Sequence, residues 1–394
     1  MRLTLGLALL ATATACGAAP VPQGPPNVPE FKPAFVGQTR AEAVTSRTPL
    51  TVTEIATGLN KPWGLAFLPD GRMLVSEKAG GTLRIIAPDG RKSPPVAGAP
   101  RVDARGQGGM MGVGVPGDGW VYWSYAEPRQ GGNGLAVARG KLGGPAGAPT
   151  LSEVKVIFRA MPTLDSTAHY GGRMVFLPGN LMFIGLGERS ILAGRVQAQD
   201  LASDFGKVVR IGRDGSIPRD NPFVGKAGAR PEIWSYGHRN ILSAALDGQG
   251  RLWELEHGPK GGDELNLVEK AKDYGWPTIS YGEEYSGAPI GKALTQAPGM
   301  EQPVHYWDPV IAPSGLAIYS GAMFPEWRGN FLTGGLATKA LIRLVVEKDR
   351  VVGEERLLTD REERIRDVVE GPDGALYLLT DAENGKLLRV SAAR

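Results

Sequence analysis

Six times along this chain an apolar run enters a turn of Pro, Asp, Asn or Gly and leaves it as a second apolar or aromatic run. The six segments are "LAFLPDGRMLVSEK", "VGVPGDGWVYWSYAE", "MVFLPGNLMFIGLGE", "AALDGQGRLWELEH", "AMFPEWRGNFLTGGL" and "VEGPDGALYLLTDAENGKLLRV". The turn residues supply the positive-φ positions of tight hairpins, and the flanking runs have strand length. The units recur at an irregular spacing of roughly 45 to 80 residues, which leaves room for loops of different length. A pair of β-sandwiches is the alternative, but a sandwich does not need the same hairpin six times. The expected fold is all-β, a six-bladed β-propeller of four-stranded antiparallel blades. In such a ring the inner strands line a channel and their loops form a funnel at one face. Functional residues are expected there, just after the strands. Helical signals are weak, with room for a turn or two in "ELNLVEKAKDYG".

Composition agrees with a turn-rich soluble chain, with 56 Gly and 31 Pro in 394 residues and no collagen-like period. The net charge is +3, from 44 basic and 41 acidic residues without a basic block, which excludes a nucleic-acid footprint. Residues 1–15, with Arg2 before "LTLGLALLATATA", read as an export signal too short to span a bilayer. Cys16, the one cysteine, directly follows "ATA" and reads as the lipidated first residue of a bacterial lipoprotein, although Ala13 stands where leucine is usual. Ordinary cleavage nearby is the alternative. Residues 16–47 include the proline-rich "GAAPVPQGPPNVPEFKP" and read as an extended tether, with the propeller over 48–394. The expectation is an exported, periplasmic protein, lipid-anchored through Cys16.

Chemistry-bearing residues are few. Of four histidines, His169, His238 and His257 stand in polar, glycine-rich contexts beside the hairpins, and His305 does not. Arg364 and Arg366 lie at i and i+2 of a strand-like segment, so they face one side and can grip an anion together; an exposed charged strand is the alternative. The loop "EHGPKGGDELN" combines bends at Gly258-Pro259, Gly261 and Gly262 with the hard oxygens of Asp263 and Glu264. That mix suits Ca²⁺ rather than Zn²⁺, since the sequence has no closely spaced His or Cys set.

The segments "GLNKPWGLAFLPDGRMLVSEKAGGTLRI", "GQGGMMGV", "HYGGRMVF", "GKVVRIGRDGSIPRDNPF", "EIWSYGHRN", "EHGPKGGDELN", "DYGWP" and "RIRDVVEGPDGALYLLTD" run in order through most of the chain. Together they resemble the soluble PQQ-dependent sugar dehydrogenases, in particular the bacterial aldose sugar dehydrogenases. The resemblance implies a six-bladed propeller that oxidises aldoses at C1 to the lactone, with PQQ and Ca²⁺ as cofactors and an external electron acceptor. It implies His169 as general base and Glu188 as the acid that orients it, with Arg239 also placed in the catalytic set. It implies Gln107, Arg239, Asn240, Arg364 and Arg366 as PQQ contacts, with His257 beside them. It implies that the carbonyls of Gly258 and Pro259 hold the catalytic Ca²⁺, and that Asp263, Glu264 and Tyr274 hold a second, structural ion. Three positions depart from the pattern. His257 stands where the glucose dehydrogenase branch has glutamine, and Ala168 where that branch has aspartate. Ala337 stands where the family has a PQQ-binding lysine, with Lys339 as the nearby replacement. Two other readings stay open: a non-redox binding propeller at the cell surface, and a Ca²⁺-dependent lactonase. Monomer and homodimer are both compatible with the sequence.

Overall fold

The structure is a computed structural model and describes residues 19–393. The expected export signal and Cys16 lie outside the described residues. Six antiparallel sheets form the molecule. Their innermost strands, Pro62–Phe67, Met110–Gly114, Gly171–Leu177, Ile241–Leu246, Pro313–Ile318 and Ile365–Glu370, pack neighbour to neighbour in that order, and the last packs back on the first. This is the expected six-bladed propeller, and blades 1 to 6 are named here by those strands.

Why these residues make blades is visible in the second strand of blade 3, Leu181–Leu186. Met182 and Ile184 pack into the layer shared with blade 2, whereas Phe183 packs into the layer shared with blade 4. Both faces of the strand are buried, so it reads as a continuous apolar run rather than an alternating one. The same division holds around the ring, with one hydrophobic layer at each of the six blade junctions. Chain ends close the circle. The strand Leu50–Leu59 runs antiparallel to Gly385–Ala392, from Leu50 opposite Ala392 to Leu59 opposite Gly385, and becomes the outer strand of blade 6.

The details depart from expectation at four places. Blade 1 has three strands rather than four. The segment outside it bonds only locally, Ser93 N–H to Ile85 O (2.8 Å) and Val96 N–H to Leu83 O (2.8 Å), because Pro94 and Pro95 have no N–H to extend the ladder. In blade 5 the first strand precedes the quoted segment, and Pro325–Trp327 forms a 3₁₀ turn that buries Trp327. "ELNLVEKAKDYG" holds no helix: Asp263–Val268 is the third strand of blade 4, with Leu265 opposite Leu255.

The fourth departure is the tether. Residues 19–47 do not extend away from the propeller but strap its outer edge. Gln38 is fully buried, and Val21, Val28 and Ala41 are buried with it. Val44 N–H reaches Glu354 O at 3.0 Å and Glu354 N–H reaches Glu42 O at 2.8 Å, so the strap covers the exposed edge of blade 5. The buried Asp308 carboxylate accepts Asn27 N–H (3.0 Å), Asn27 Nδ2 (2.6 Å) and Val28 N–H (3.1 Å). Asp308→Ala leaves those donors without a partner, and the expected loss is about 1–3 kcal/mol of stability, read as a lower urea midpoint with faster proteolysis of the strap. An unchanged midpoint contradicts this role.

Candidate active site

A cavity of about 330 Å³ opens at one mouth of the central channel, at the low end of the range of roughly 300–1,000 Å³ usual for small-molecule sites. Its lining corrects one expectation. The residues are not those just after the inner strands but those just before them: Lys61, Tyr170, Asn240, Ala312 and Arg364 each immediately precede an inner strand. More of the wall comes from the ends of the second strands, where Lys78, His257, Leu336 and Asp381 each follow the last strand residue, and from inner-strand residues such as Trp63 and Arg366. Antiparallel pairing makes these two sets neighbours at one face.

Arg364 and Arg366 do face one side. Both reach the Asp381 carboxylate, Arg364 Nη2 at 2.7 Å and Arg366 Nη2 at 3.0 Å. Burial opposes the charge on Asp381, but Arg366 and Arg364 hold its carboxyl below the usual range. Arg366 is buried, and its Nε has no partner. Lys78, across the cavity, donates to Gly106 O (3.0 Å), and burial with the Arg366 charge lowers its pKa. Gln107 and Asn240 add polar donors to the same wall. Lys339 does not join this set. It is exposed at a left-handed turn (φ 52°) outside the lining, and Lys78 and Lys61 are the lysines that reach the cavity.

His169 sits between two lining residues, its neighbour Tyr170 and Gln107, whose Oε1 accepts the His169 N–H at 2.9 Å. It is buried and held at φ 46°, a left-handed conformation that costs a non-glycine residue on the order of 1–2 kcal/mol. Its Nδ1 lies 2.5 Å from Oε1 of the fully buried Glu188. The carboxylate fixes the tautomer and leaves Nε2 to accept a proton. Burial and the Arg239 charge lower the His169 pKa from 6.5, against the opposing pull of Glu188. The turn before Glu188 requires glycine: a Cβ at Gly187 would lie 2.3 Å from His169 O and 2.6 Å from Asn240 Oδ1.

The loop after the second strand of blade 4 forms the third part. Arg239 Nη1 donates to the carbonyls of His257 (2.7 Å) and Gly258 (2.6 Å), so these oxygens already converge on a cation. His257 is neutral, its pKa pushed down to about 3 by burial and by Arg239 and Arg366, and its Nε2 contacts Pro313 O at 2.8 Å. Behind it lies a cavity of about 10 Å³ lined by Glu256, Gly258, Pro259, Glu264 and Tyr274 among others, room for about one water-sized particle. Burial and the neighbouring Glu256 raise the Glu264 pKa well above its ordinary value. Crowded, desolvated carboxylates around so small a space suit a hard cation. Asp263 does not point to that space. Its Oδ1 accepts Gly258 N–H (2.9 Å), and its Oδ2 accepts Ile311 N–H (2.8 Å) and Ala312 N–H (2.7 Å). Its carboxylate ties two loops together, and the metal reading is corrected to a structural one.

The channel below carries no ring of carboxylates and asparagines among the described residues. Asp367 is paired with Arg173 at 3.1 Å, and Arg173 stacks on Trp63. A lactonase-type metal centre has no donor set here. Sequence reasoning missed Lys61, Lys78 and Asp381, yet the hairpin register contains a signal for two of them. Lys78 after "LVSE" and Asp381 after "LYLLT" occupy the place His257 takes after "LWELE".

Comparison with known proteins agrees with this architecture. The family profile described as "Glucose / Sorbosone dehydrogenase" matches residues 59–389. The chain is 44% identical to the aldose sugar dehydrogenase YliI of Escherichia coli over 340 residues, covering 84% of this chain and 90% of that protein. A crystal structure of a glucose dehydrogenase superposes with a TM-score of 0.83 at 49% identity, over 87% of this chain and all of that one. The PQQ-bound aldose sugar dehydrogenase of Streptomyces coelicolor superposes with a TM-score of 0.71 at 27% identity, over 89% of this chain and all of that one. The chain belongs to the glucose/sorbosone dehydrogenase family.

Proposed function

We propose that this protein oxidises aldose sugars at C1 to the lactone, with PQQ and Ca²⁺ as cofactors and an external electron acceptor. The observation that carries the reading is the His169–Glu188 pair at the edge of a cavity walled by Arg364, Arg366, Lys61 and Lys78. The relatives support it, being named as sugar dehydrogenases, one of them in a PQQ-bound form.

Arg364, Arg366, Lys78 and Lys61 would hold the carboxylates of the cofactor, and Gln107 and Asn240 its remaining polar atoms. The Gly258 and Pro259 carbonyls would hold one Ca²⁺, and Glu264 and Tyr274 a second. When bound, PQQ supplies the quinone that accepts hydride, and Ca²⁺ polarises that quinone as a Lewis acid. His169 Nε2 takes the proton of the C1 hydroxyl, while Glu188 stabilises the imidazolium that results. Burial, with the Arg239 charge, disfavours the imidazolium before the proton arrives. With the Gly258 carbonyl engaged by Ca²⁺, the Arg239 guanidinium that now donates to it would be free to turn toward the cofactor. Export to the periplasm fits this reading, since oxidation there meets sugars before uptake.

The test is sugar-dependent dye reduction by the chain loaded with PQQ and Ca²⁺; failure to bind PQQ with Ca²⁺ present rejects the reading. His169→Ala is expected to bind PQQ normally and lose turnover by about 10²–10⁴-fold. Arg366→Ala is expected to weaken PQQ binding by about 10–100-fold, the loss of a charge-assisted hydrogen bond. Full turnover by His169→Ala rejects its role as base.

The pH profile has a definite sign. A base must be unprotonated, and the His169 pKa lies below 6.5. Turnover is therefore expected to rise with pH through a midpoint below 6.5 and then level off. In Glu188→Gln the carboxylate no longer favours the imidazolium, so the midpoint moves lower still. A midpoint that moves up contradicts the orienting role.

A further inference from the structure

Behind the Arg239–Asn240 turn lies a buried cluster, two of whose members, His238 and Glu254, have no part in the proposed chemistry. His238 and Glu254 are fully buried and Glu256 nearly so. His238 Nδ1 is 3.6 Å from Glu254 Oε1 and 3.8 Å from Glu256 Oε1, and one donor atom from each of the three residues lies within 4.8 Å of the others. We propose that His238 Nδ1, Glu254 and Glu256 form a binding site for a divalent transition metal of the Zn²⁺ type, next to the small cavity of the second Ca²⁺ position, whose lining it shares at Glu256.

Three observations converge on an ion. First, His238 Nε2 is engaged by Ser235 Oγ at 2.9 Å, so Nδ1 is the atom left facing the two carboxylates. Second, Nδ1 and Glu254 Oε2 have no hydrogen-bond partner although their residues are fully buried, an arrangement that costs stability unless something binds there. Third, the spacing is informative. A proton shared between Nδ1 and a carboxylate needs about 2.7–3.2 Å, shorter than the observed 3.6 and 3.8 Å. A tetrahedral ion with bonds of about 2.1 Å separates its donors by about 3.4 Å, close to what is found. One imidazole nitrogen with two carboxylates is a donor set for Zn²⁺ or a related ion, whereas Ca²⁺ takes oxygen alone.

The surroundings position these donors. Asn266 Nδ2 donates to Glu254 Oε1 (2.8 Å) and to Glu264 Oε2 (3.2 Å), and so stands between this site and the acid expected at the second Ca²⁺. The His238 ring is stacked on Tyr274, centroids 4.6 Å apart. Glu256 Oε2 accepts the backbone N–H of Arg239 (2.6 Å) and of Asn240 (3.3 Å). An ion on the opposite oxygen of Glu256 therefore braces the turn that presents Arg239 and Asn240 and the strand end that presents His257 and Gly258. Its role is structural support beneath the cofactor loops, and no redox step passes through it.

The test is metal content by mass spectrometry after the full-length chain has been unfolded and refolded with Zn²⁺ in excess Ca²⁺, then passed through a desalting column. One zinc per wild-type chain is expected. Glu254→Gln, which keeps the shape of the side chain, is expected to lower zinc occupancy about tenfold or more while Ca²⁺ content and near-ultraviolet circular dichroism stay unchanged. Co²⁺ in place of Zn²⁺ is expected to give the visible absorption of a tetrahedral nitrogen–oxygen site in the wild type and to lose it in Glu254→Gln. Wild-type protein that retains no zinc overturns the proposal, and so does a Glu254→Gln chain that retains as much zinc as the wild type. Neither outcome depends on PQQ binding or on turnover.

Discussion

Pairing of the strand Leu50–Leu59 with Gly385–Ala392 closes the ring, and the site exists only in the closed ring. Lys61 and Lys78 belong to blade 1, whereas Arg364, Arg366 and Asp381 belong to blade 6, so the cationic wall straddles the seam. The seam is held by a shared apolar layer that includes Leu65, Val75, Leu379 and Leu387. At 20–33 cal/mol per Å² of buried apolar surface, such a layer supplies the large term, and the ion pairs above it set geometry.

Three parts of the ring divide the chemistry. The seam of blades 6 and 1 collects cations, with Arg364 and Arg366 on the carboxylate of Asp381 and Lys61 beside Glu383. The junction of blades 2 and 3 holds the proposed base, His169, which Gln107 and Glu188 fix from two sides. Blade 4 presents carbonyls and buried acids. The charges are arranged so that each partner is incomplete alone. Arg366 retains an unpartnered Nε, and Arg239 rests on two carbonyls that a metal ion could also use. Desolvation makes these groups expensive to leave unpaired, a cost that the proposed polyanionic cofactor and hard cation would relieve at this mouth.

Much of the fold was legible because the second strand of each blade is buried on both faces, so its apolar run and turn repeat six times. His169 and Glu188 were legible through family resemblance and Arg364 and Arg366 through their i, i+2 spacing, and the members of each pair stand together in space. Other features carry no pattern in one dimension. Residues 19–47 look like a free linker because Val21, Val28 and Ala41 are too widely separated to show a period, yet each finds a place on the propeller edge. Asp263 looks like a metal ligand because a carboxylate that accepts three amide protons and one that binds a metal are the same letter. The His238, Glu254 and Glu256 cluster depends on antiparallel pairing that brings a preceding turn beside a strand end. Lys339 looks like a substitute for a missing lysine, but it is exposed on a left-handed turn outside the cavity lining.

The central claim is that one mouth of the ring places a base, a cationic wall and a carbonyl cradle around a single cofactor. A crystal structure of the chain grown with PQQ and Ca²⁺ tests it most directly. The account predicts the cofactor between His169 and the Arg364–Arg366 pair, an ion on the carbonyls of Gly258 and Pro259, and Arg239 turned away from Gly258. A cofactor bound elsewhere, or Arg239 still on the Gly258 carbonyl with no ion beside it, contradicts the account.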